Sequence, residues 1–242
     1  MEGTTEPILV VIGDPIAGNP AQFALERSLR ALELDWRVLS FDVTPENVSA
    51  AIEGFAVTGI VGVMIARELA ASAGSWNAST NKTETQSVDC LWRNDEGLFS
   101  AADQLIDWLE TQIQKFHEGK LLWVGNQEPT VPLDPTPFER VSLDHSGLAD
   151  DITKASVIIL SGDDSKEPDF DREDWPENSG QTLVIDLGGA YNLVTHLRQR
   201  GYLVIGEDEF RVGALQHCIL KWTGKTPSDD VVIDAIEEYL SV

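Results

Sequence analysis

The chain runs to 242 residues, 42% of them hydrophobic, with seven Trp and eight Phe; it has the apolar material for a core and the length for one large or two modest domains. Its 41 Asp plus Glu against 17 Lys plus Arg give a formal charge of −24, which repels DNA, RNA and anionic lipid and argues against nucleic-acid or membrane partners. The same acidity suits either a salt-adapted, highly soluble surface or a docking face for a basic partner.

Cys90 and Cys218 lie far apart in sequence, with no CxxC and no His at metal-ligand spacing, so neither a disulfide framework nor a zinc site is expected. No apolar run approaches the roughly 20 residues that span a bilayer. A reduced, cytoplasmic setting is the expectation.

Taken in chain order, Ile8 to Ile12 is an aliphatic run stopped by Gly13-Asp14-Pro15, the pattern of a buried strand feeding a loop. Leu25, Leu29 and Leu32 fall at helical spacing over 21–32, and Trp36 to Phe41 reads as a second strand. Glu46 to Phe55 predicts a helix, with Thr44 as its cap before Pro45, and Gly59 to Ile65 a third strand. Residues 71–87 are rich in Ser, Thr, Asn and Ala without sustained periodicity and predict a surface loop. Cys90 to Trp92 resumes a short strand, and Leu105, Leu109 and Ile113 predict a long helix over 101–116.

A second set of strands follows, at 121–124, 157–160, 183–187 and 203–205, with a helix over 192–200, the pattern of a small parallel-sheet domain. Residues 163–178 are acidic and interrupted by Pro168 and Pro176; their Asp169-x-Asp171-x-Glu173 spacing lacks the Gly and the closing Glu of a calcium loop, because Asp174 and Gly180 stand there. Two helices, near 210–222 and 229–240, end the chain and should pack back on the first domain. The expected architecture is α/β, with a first domain of residues 1–104 plus 210–242 and a reduced Rossmann-like domain of 105–209.

Gly13-Asp14-Pro15-Ile16, Ala31-Leu32-Glu33-Leu34-Asp35-Trp36 and Leu220-Lys221-Trp222-Thr223-Gly224, in this order and spacing, resemble the shikimate dehydrogenase family across nearly the whole chain. The resemblance implies a substrate domain, a Rossmann-like NADP domain, a cleft between them, and NADPH-dependent reduction of 3-dehydroshikimate. It also implies a Ser-x-Ser pair for the substrate carboxylate; Asn19 and Ala21 stand at those positions. The family's catalytic lysine falls on Ala70, with Arg67 one turn earlier as the available cation, and its aspartate partner on Asp103. Asp103 is read either as a retained ligand contact or as a residue stabilising a helix N-terminus. The family's substrate-binding Gln falls on Ala214, and Gln216 lies two positions later, about 200° round a helix.

The cofactor half departs further. The family's Gly-x-Gly-Gly turn and helix, which receive the pyrophosphate, are replaced by Gly125-Asn126-Gln127-Glu128 followed by Pro129, Pro132, Pro135 and Pro137. Repeated prolines remove amide donors and exclude that helix, leaving Gly125 and Asn126 as the remnant of a cofactor turn. Asp144-His145-Ser146 replaces the basic pattern that grips a 2′-phosphate, so any nucleotide that binds would be NAD before NADP.

The sequence therefore predicts a shikimate dehydrogenase-like protein without its usual reaction and with no cofactor, holding a small polar ligand near Asn19, Arg67 and Asp103, as a monomer or homodimer. The alternative is an active NAD(P)-dependent shikimate or quinate dehydrogenase with a divergent site. Other chemistry in the same cleft, or a docking role for the acidic loop, also remains open.

Overall fold

A computed structural model describes residues 6–82, 86–116, 119–125, 131, 133–134, 137–141, 147–161, 175–187 and 191–241. By its contacts the chain divides into two units, Met1–Leu105 with Val212–Val242, and Ile106–Arg211.

In the first unit, β1 (Ile8–Gly13) is aliphatic throughout because both its faces are covered. Chain order continues with α1 (Ala21–Ala31), β2 (Arg37–Asp42), α2 (Val48–Ala56), β3 (Ile60–Ile65), α3 (Ala70–Asn81), β4 (Cys90–Arg93) and β5 (Phe99–Ala102), after which α4 (Gln104–Gln114) begins in this unit and continues in the second. The sheet order is β2-β1-β3-β4-β5; β1 pairs in parallel with β2 and β3, while β4 and β5 run antiparallel. Val10 and Ile12 face α2 and α3 through Val48, Ile52, Ala73 and Trp76. Leu9 and Val11 face α1 and the two closing helices, α7 (Glu207–Thr223) and α8 (Asp229–Leu240), through Leu25, Leu29, Leu215, Ile219 and Val232. Leu25 and Leu29 are sealed from solvent, and burying each contributes about 1.5–3 kcal/mol.

The closing helices thus pack on the first unit, as the sequence predicts. Trp222 Nε1 donates to Leu91 O at 2.8 Å. Its ring lies over Gly62, where a Cβ would come within 2.2 Å of that nitrogen, so only glycine fits beneath it.

The second unit is a parallel sheet of β6 (Lys120–Val124), β7 (Glu139–Val141), β8 (Ala155–Leu160), β9 (Leu183–Asp186) and β10 (Leu203–Ile205), in the order β10-β9-β8-β6-β7. Helices α5 (Leu148–Lys154) and α6 (Tyr191–Gln199) complete it, and α5 is an element the sequence reading lacked. Ile152, Leu193 and Leu197 pack on Leu122, Ile158 and Val184. Among the described residues no helix is long and apolar enough to cross a membrane.

Several sequence expectations are corrected. Residues 71–87 are not all loop: α3 occupies Ala70–Asn81. Its buried positions Ala70, Ala73, Gly74 and Asn77 follow helical spacing, but small and polar residues fill that stripe and hide the periodicity. Gly74 is required there, since a Cβ would meet Gln86 O at 2.5 Å. The helix predicted over 101–116 starts only at Gln104, because Ala101 and Ala102 extend β5 against Leu91 and Cys90. The helix predicted from Glu46 opens as a 3-10 turn, Pro45–Asn47, and Thr44 makes no side-chain cap bond; its hydroxyl instead accepts from Asn47 Nδ2 at 3.0 Å. Cys90 and Cys218, remote in sequence, meet as buried free thiols where α7 packs over β4. The calcium-like stretch 169–174 lies outside the described residues.

Candidate functional site

The parallel strands β1 and β3 end side by side and hand the chain to loops that are tied together. Ala66 N donates to Ile12 O at 2.9 Å, Asp14 N to Glu68 Oε1 at 3.1 Å, and Ile16 N to Asp42 Oδ1 at 2.7 Å. A 3-10 turn, Arg67–Leu69, then leads into α3, and this turn carries Arg67.

The hairpin β4–β5 supplies the partners. Its turn is closed by Gly97 N to Asn94 O and Asn94 N to Leu98 O, both 2.9 Å, and its register pairs Cys90 with Ala102. One residue further, Asp89 stands opposite Asp103, with Asp89 N donating to Ala102 O at 3.2 Å. Two carboxylates directly opposite each other repel, and the arrangement needs a cation.

Arg67 is that cation. Its Nη1 and Nη2 donate to Asp103 Oδ1 and Oδ2 at 3.1 and 2.6 Å, the paired geometry that suits guanidinium to carboxylate. Nη2 also reaches Ser87 Oγ at 3.3 Å, and the Ser87 hydroxyl donates a short bond to Asp103 Oδ2. Nη1 lies 3.8 Å from Asp89 Oδ2. Asp89, Asp103 and Ser87 are buried, whereas the Arg67 side chain keeps 33% of its surface exposed, so solvent reaches the cluster from the arginine side.

Asp89 accepts Gln104 N at 2.6 Å and Leu105 N at 3.0 Å, and so holds the first amides of α4. At these two amides the stabilising carboxylate is Asp89. Burial, then the neighbouring Asp103, push the Asp89 carboxyl up to about 7, against the pull of those two amides and of Arg67. Behind it, burial and the Cys90 contact push the Cys218 thiol well up, with Asp89 and Asp103 adding to the effect; this is an unreactive thiol.

Arg67 and Asp103 are thus brought together, and the sequence reading missed Ser87 and Asp89. Asn19 belongs to a different set of contacts. Its Oδ1 accepts Ala21 N at 2.9 Å and its backbone N donates to Ile16 O at 3.1 Å, contacts local to the loop that leads into α1.

No protein-family model matches the chain, and no curated protein sequence matches it. Solved structures do. A shikimate 5-dehydrogenase from Mycobacterium fortuitum superposes with a TM-score of 0.72 at 14% identity, covering 97% of this chain and 99% of that one. The Thermus thermophilus shikimate 5-dehydrogenase in complex with NADP(H) and shikimate gives 0.65 at 15% identity over 97% and 100%. The fold is shikimate dehydrogenase-like. A 5-ketofructose reductase of Gluconobacter sp. strain CHM43 matches equally, with a TM-score of 0.69 at 14% identity over 98% and 99%, so the frame alone does not select a substrate.

At the positions that the shikimate dehydrogenase resemblance assigns, Ala70 is 1% exposed and its carbonyl accepts Val88 N at 2.9 Å. That place holds a methyl in a sealed core, where an ammonium would be costly. Gln216 Nε2 donates to Pro227 O at 3.0 Å and Asp229 Oδ1 at 2.7 Å, which ties α7 to the start of α8.

In the second unit the strand order places the switch point between β6 and β8, where open α/β sheets bind ligands. Here the two strand ends meet directly. Ser161 N donates to Val124 O at 2.9 Å, and Trp123 Nε1 to Ser161 Oγ at 2.8 Å. Gly125 has φ 121°, and a Cβ on it would come within 1.8 Å of Ser161 O. This close backbone approach requires glycine at position 125. Asn126, expected as its companion, lies outside the described residues, as does 142–146. Between β6 and β7 the described residues include no helix, and Val131 and Leu133 anchor the connection in the core.

Proposed function

We propose that this chain is a ligand-holding relative of the shikimate dehydrogenases, which takes a small polar molecule at Arg67, Ser87 and Asp103 and has lost NADPH-dependent reduction of 3-dehydroshikimate. The observation that carries the reading is the cation paired with Asp103. A general acid must release and regain a proton near neutral pH; a guanidinium stays protonated, and Arg67 is bound at both terminal nitrogens by Asp103. The lysine position, Ala70, has no titratable group to offer. The close approach of Gly125 to Ser161 O supports the reading by giving that glycine a packing reason of its own. In this reading the protein acts in the cytoplasm, as a monomer or homodimer, without nucleic acid or membrane, in keeping with its charge of −24.

The test is calorimetric titration of the purified chain with shikimate, beside an assay for NADP+ reduction in the same solution. Binding without turnover is expected. Turnover that is lost in Asp103→Asn would favour the second reading, an active NAD(P)-dependent dehydrogenase with a divergent site. That reading draws on the retained Asp103 with a cation beside it, and on structural relatives captured with NADP+ and with shikimate and NAD.

A further inference from the structure

The Arg67 cluster holds one cation and two buried carboxylates. The two are not equivalent. Asp103 is gripped by both guanidinium nitrogens and by the Ser87 hydroxyl. Asp89 reaches Arg67 only at 3.8 Å and leans on two backbone amides. An anion arriving at the exposed side of Arg67 would be the third negative group around one positive charge, in a chain already at −24. Coulomb repulsion at such separations in a poorly solvated site is too large to leave uncompensated.

We propose that Asp89 is the proton-accepting member of this site, so that an anionic group settles on Arg67 only as Asp89 takes up a proton. The inference rests on the ligand-holding reading above and adds its regulation: binding is favoured as the surroundings become more acidic. The groups facing Asp89 are Arg67 from the turn after β3, Asp103 and the Gln104 and Leu105 amides from the far side of the hairpin, and Cys218 from α7, which is hydrogen-bonded to Cys90, the residue next to Asp89 in the chain. The Cys218 thiol stays neutral because burial pushes its pKa well up, and Asp103 is gripped by both guanidinium nitrogens and the Ser87 hydroxyl, which Asp89 is not. Asp89 is therefore the group that yields, and burial with Asp103 opposite brings its protonation to about neutral pH. The added proton leaves the guanidinium facing a single carboxylate, so an anion at its already exposed side meets less opposing charge.

The experiment titrates shikimate, as its carboxylate, into the full chain at about pH 5.5, 7 and 8.5, each in two buffers of different ionisation heat. Above the Asp89 midpoint the affinity falls about tenfold per pH unit, with close to one proton taken up per molecule bound. Asp89→Asn flattens the profile while binding persists at the alkaline end. Should that variant fail to fold, the proton count on the unaltered chain decides alone. Binding of equal strength at every pH with no proton uptake overturns the coupling and leaves the ligand-holding reading standing; no binding at any pH overturns both.

Discussion

Replacing Arg67 by Met removes the charge while keeping much of the side-chain bulk, and leaves Asp89 and Asp103 buried opposite each other. Breaking a buried ion pair on one side costs about 3–5 kcal/mol. Because one third of the Arg67 side chain is exposed, water screens part of that, and a loss of roughly 2–3 kcal/mol is expected at about pH 8. The loss depends on pH in a defined direction. The folded-state pKa of Asp89 lies above the unfolded value, at about 7, so the folded chain binds more protons than the unfolded one between about pH 4 and 7. Asp89's contribution to stability is then greatest below that window and declines as pH rises through it. Removing Arg67 sharpens the decline, since the guanidinium offsets the ionised pair, so the variant's loss near pH 5 should be smaller than at about pH 8, although the lost Asp103 contacts still cost there. Urea unfolding followed by Trp fluorescence at both pH values measures this through the midpoint at constant slope. Adding Asp103→Leu to Arg67→Met should recover part of the loss at about pH 8. An Arg67→Met chain as stable as the parent, or weakened equally at both pH values, would refute the electrostatic account of the cluster.

Other consequences can be measured independently. Gly125→Ala forces a Cβ to 1.8 Å of Ser161 O at φ 121° and should destabilise the second unit by more than about 2 kcal/mol; a neutral result would reopen a cofactor-turn role for Gly125. Gly62→Ala drives a Cβ into Trp222 and should lower the first unit's transition by a similar amount or more, with a red-shifted Trp emission; unchanged emission would mean that the closing helix is not seated on β3. With −24 formal charges, self-repulsion should weaken the chain at low ionic strength, so the thermal midpoint should climb as salt rises to about 1 M, where the screening length shrinks to about 3 Å. A flat salt response would remove salt adaptation as the reason for the acidity.

Much of the frame was legible because its strands are buried on both faces and so read as uninterrupted aliphatic runs, as at Ile8 to Ile12 and Val157 to Leu160. What escaped was packing by small residues. Ala73, Gly74 and Asn77 build a helix stripe that hydrophobicity does not mark, and Ala101 and Ala102 serve a strand as readily as a helix. Arg67 and Asp103 were visible as single residues through the family resemblance, but their pairing was not. Ser87 sat in a stretch read as loop, and Asp89 mattered only through the hairpin register. The symmetry of that hairpin about the Asn94–Gly97 turn was the available signal: it sets Asp89 opposite Asp103 once Cys90 pairs with Ala102. Asn19 was legible as a polar residue at a position the resemblance assigns, whereas its local bond to Ala21 N was not.

On the proposed reading, this shikimate dehydrogenase-like frame no longer works with a nicotinamide cofactor. Titrating the purified chain with NADPH, following quenching of Trp emission and the nucleotide's own fluorescence, with and without shikimate, tests it directly. No saturable binding up to about millimolar NADPH, about −4 kcal/mol or weaker, is the predicted result; micromolar binding that tightens with shikimate would contradict the account.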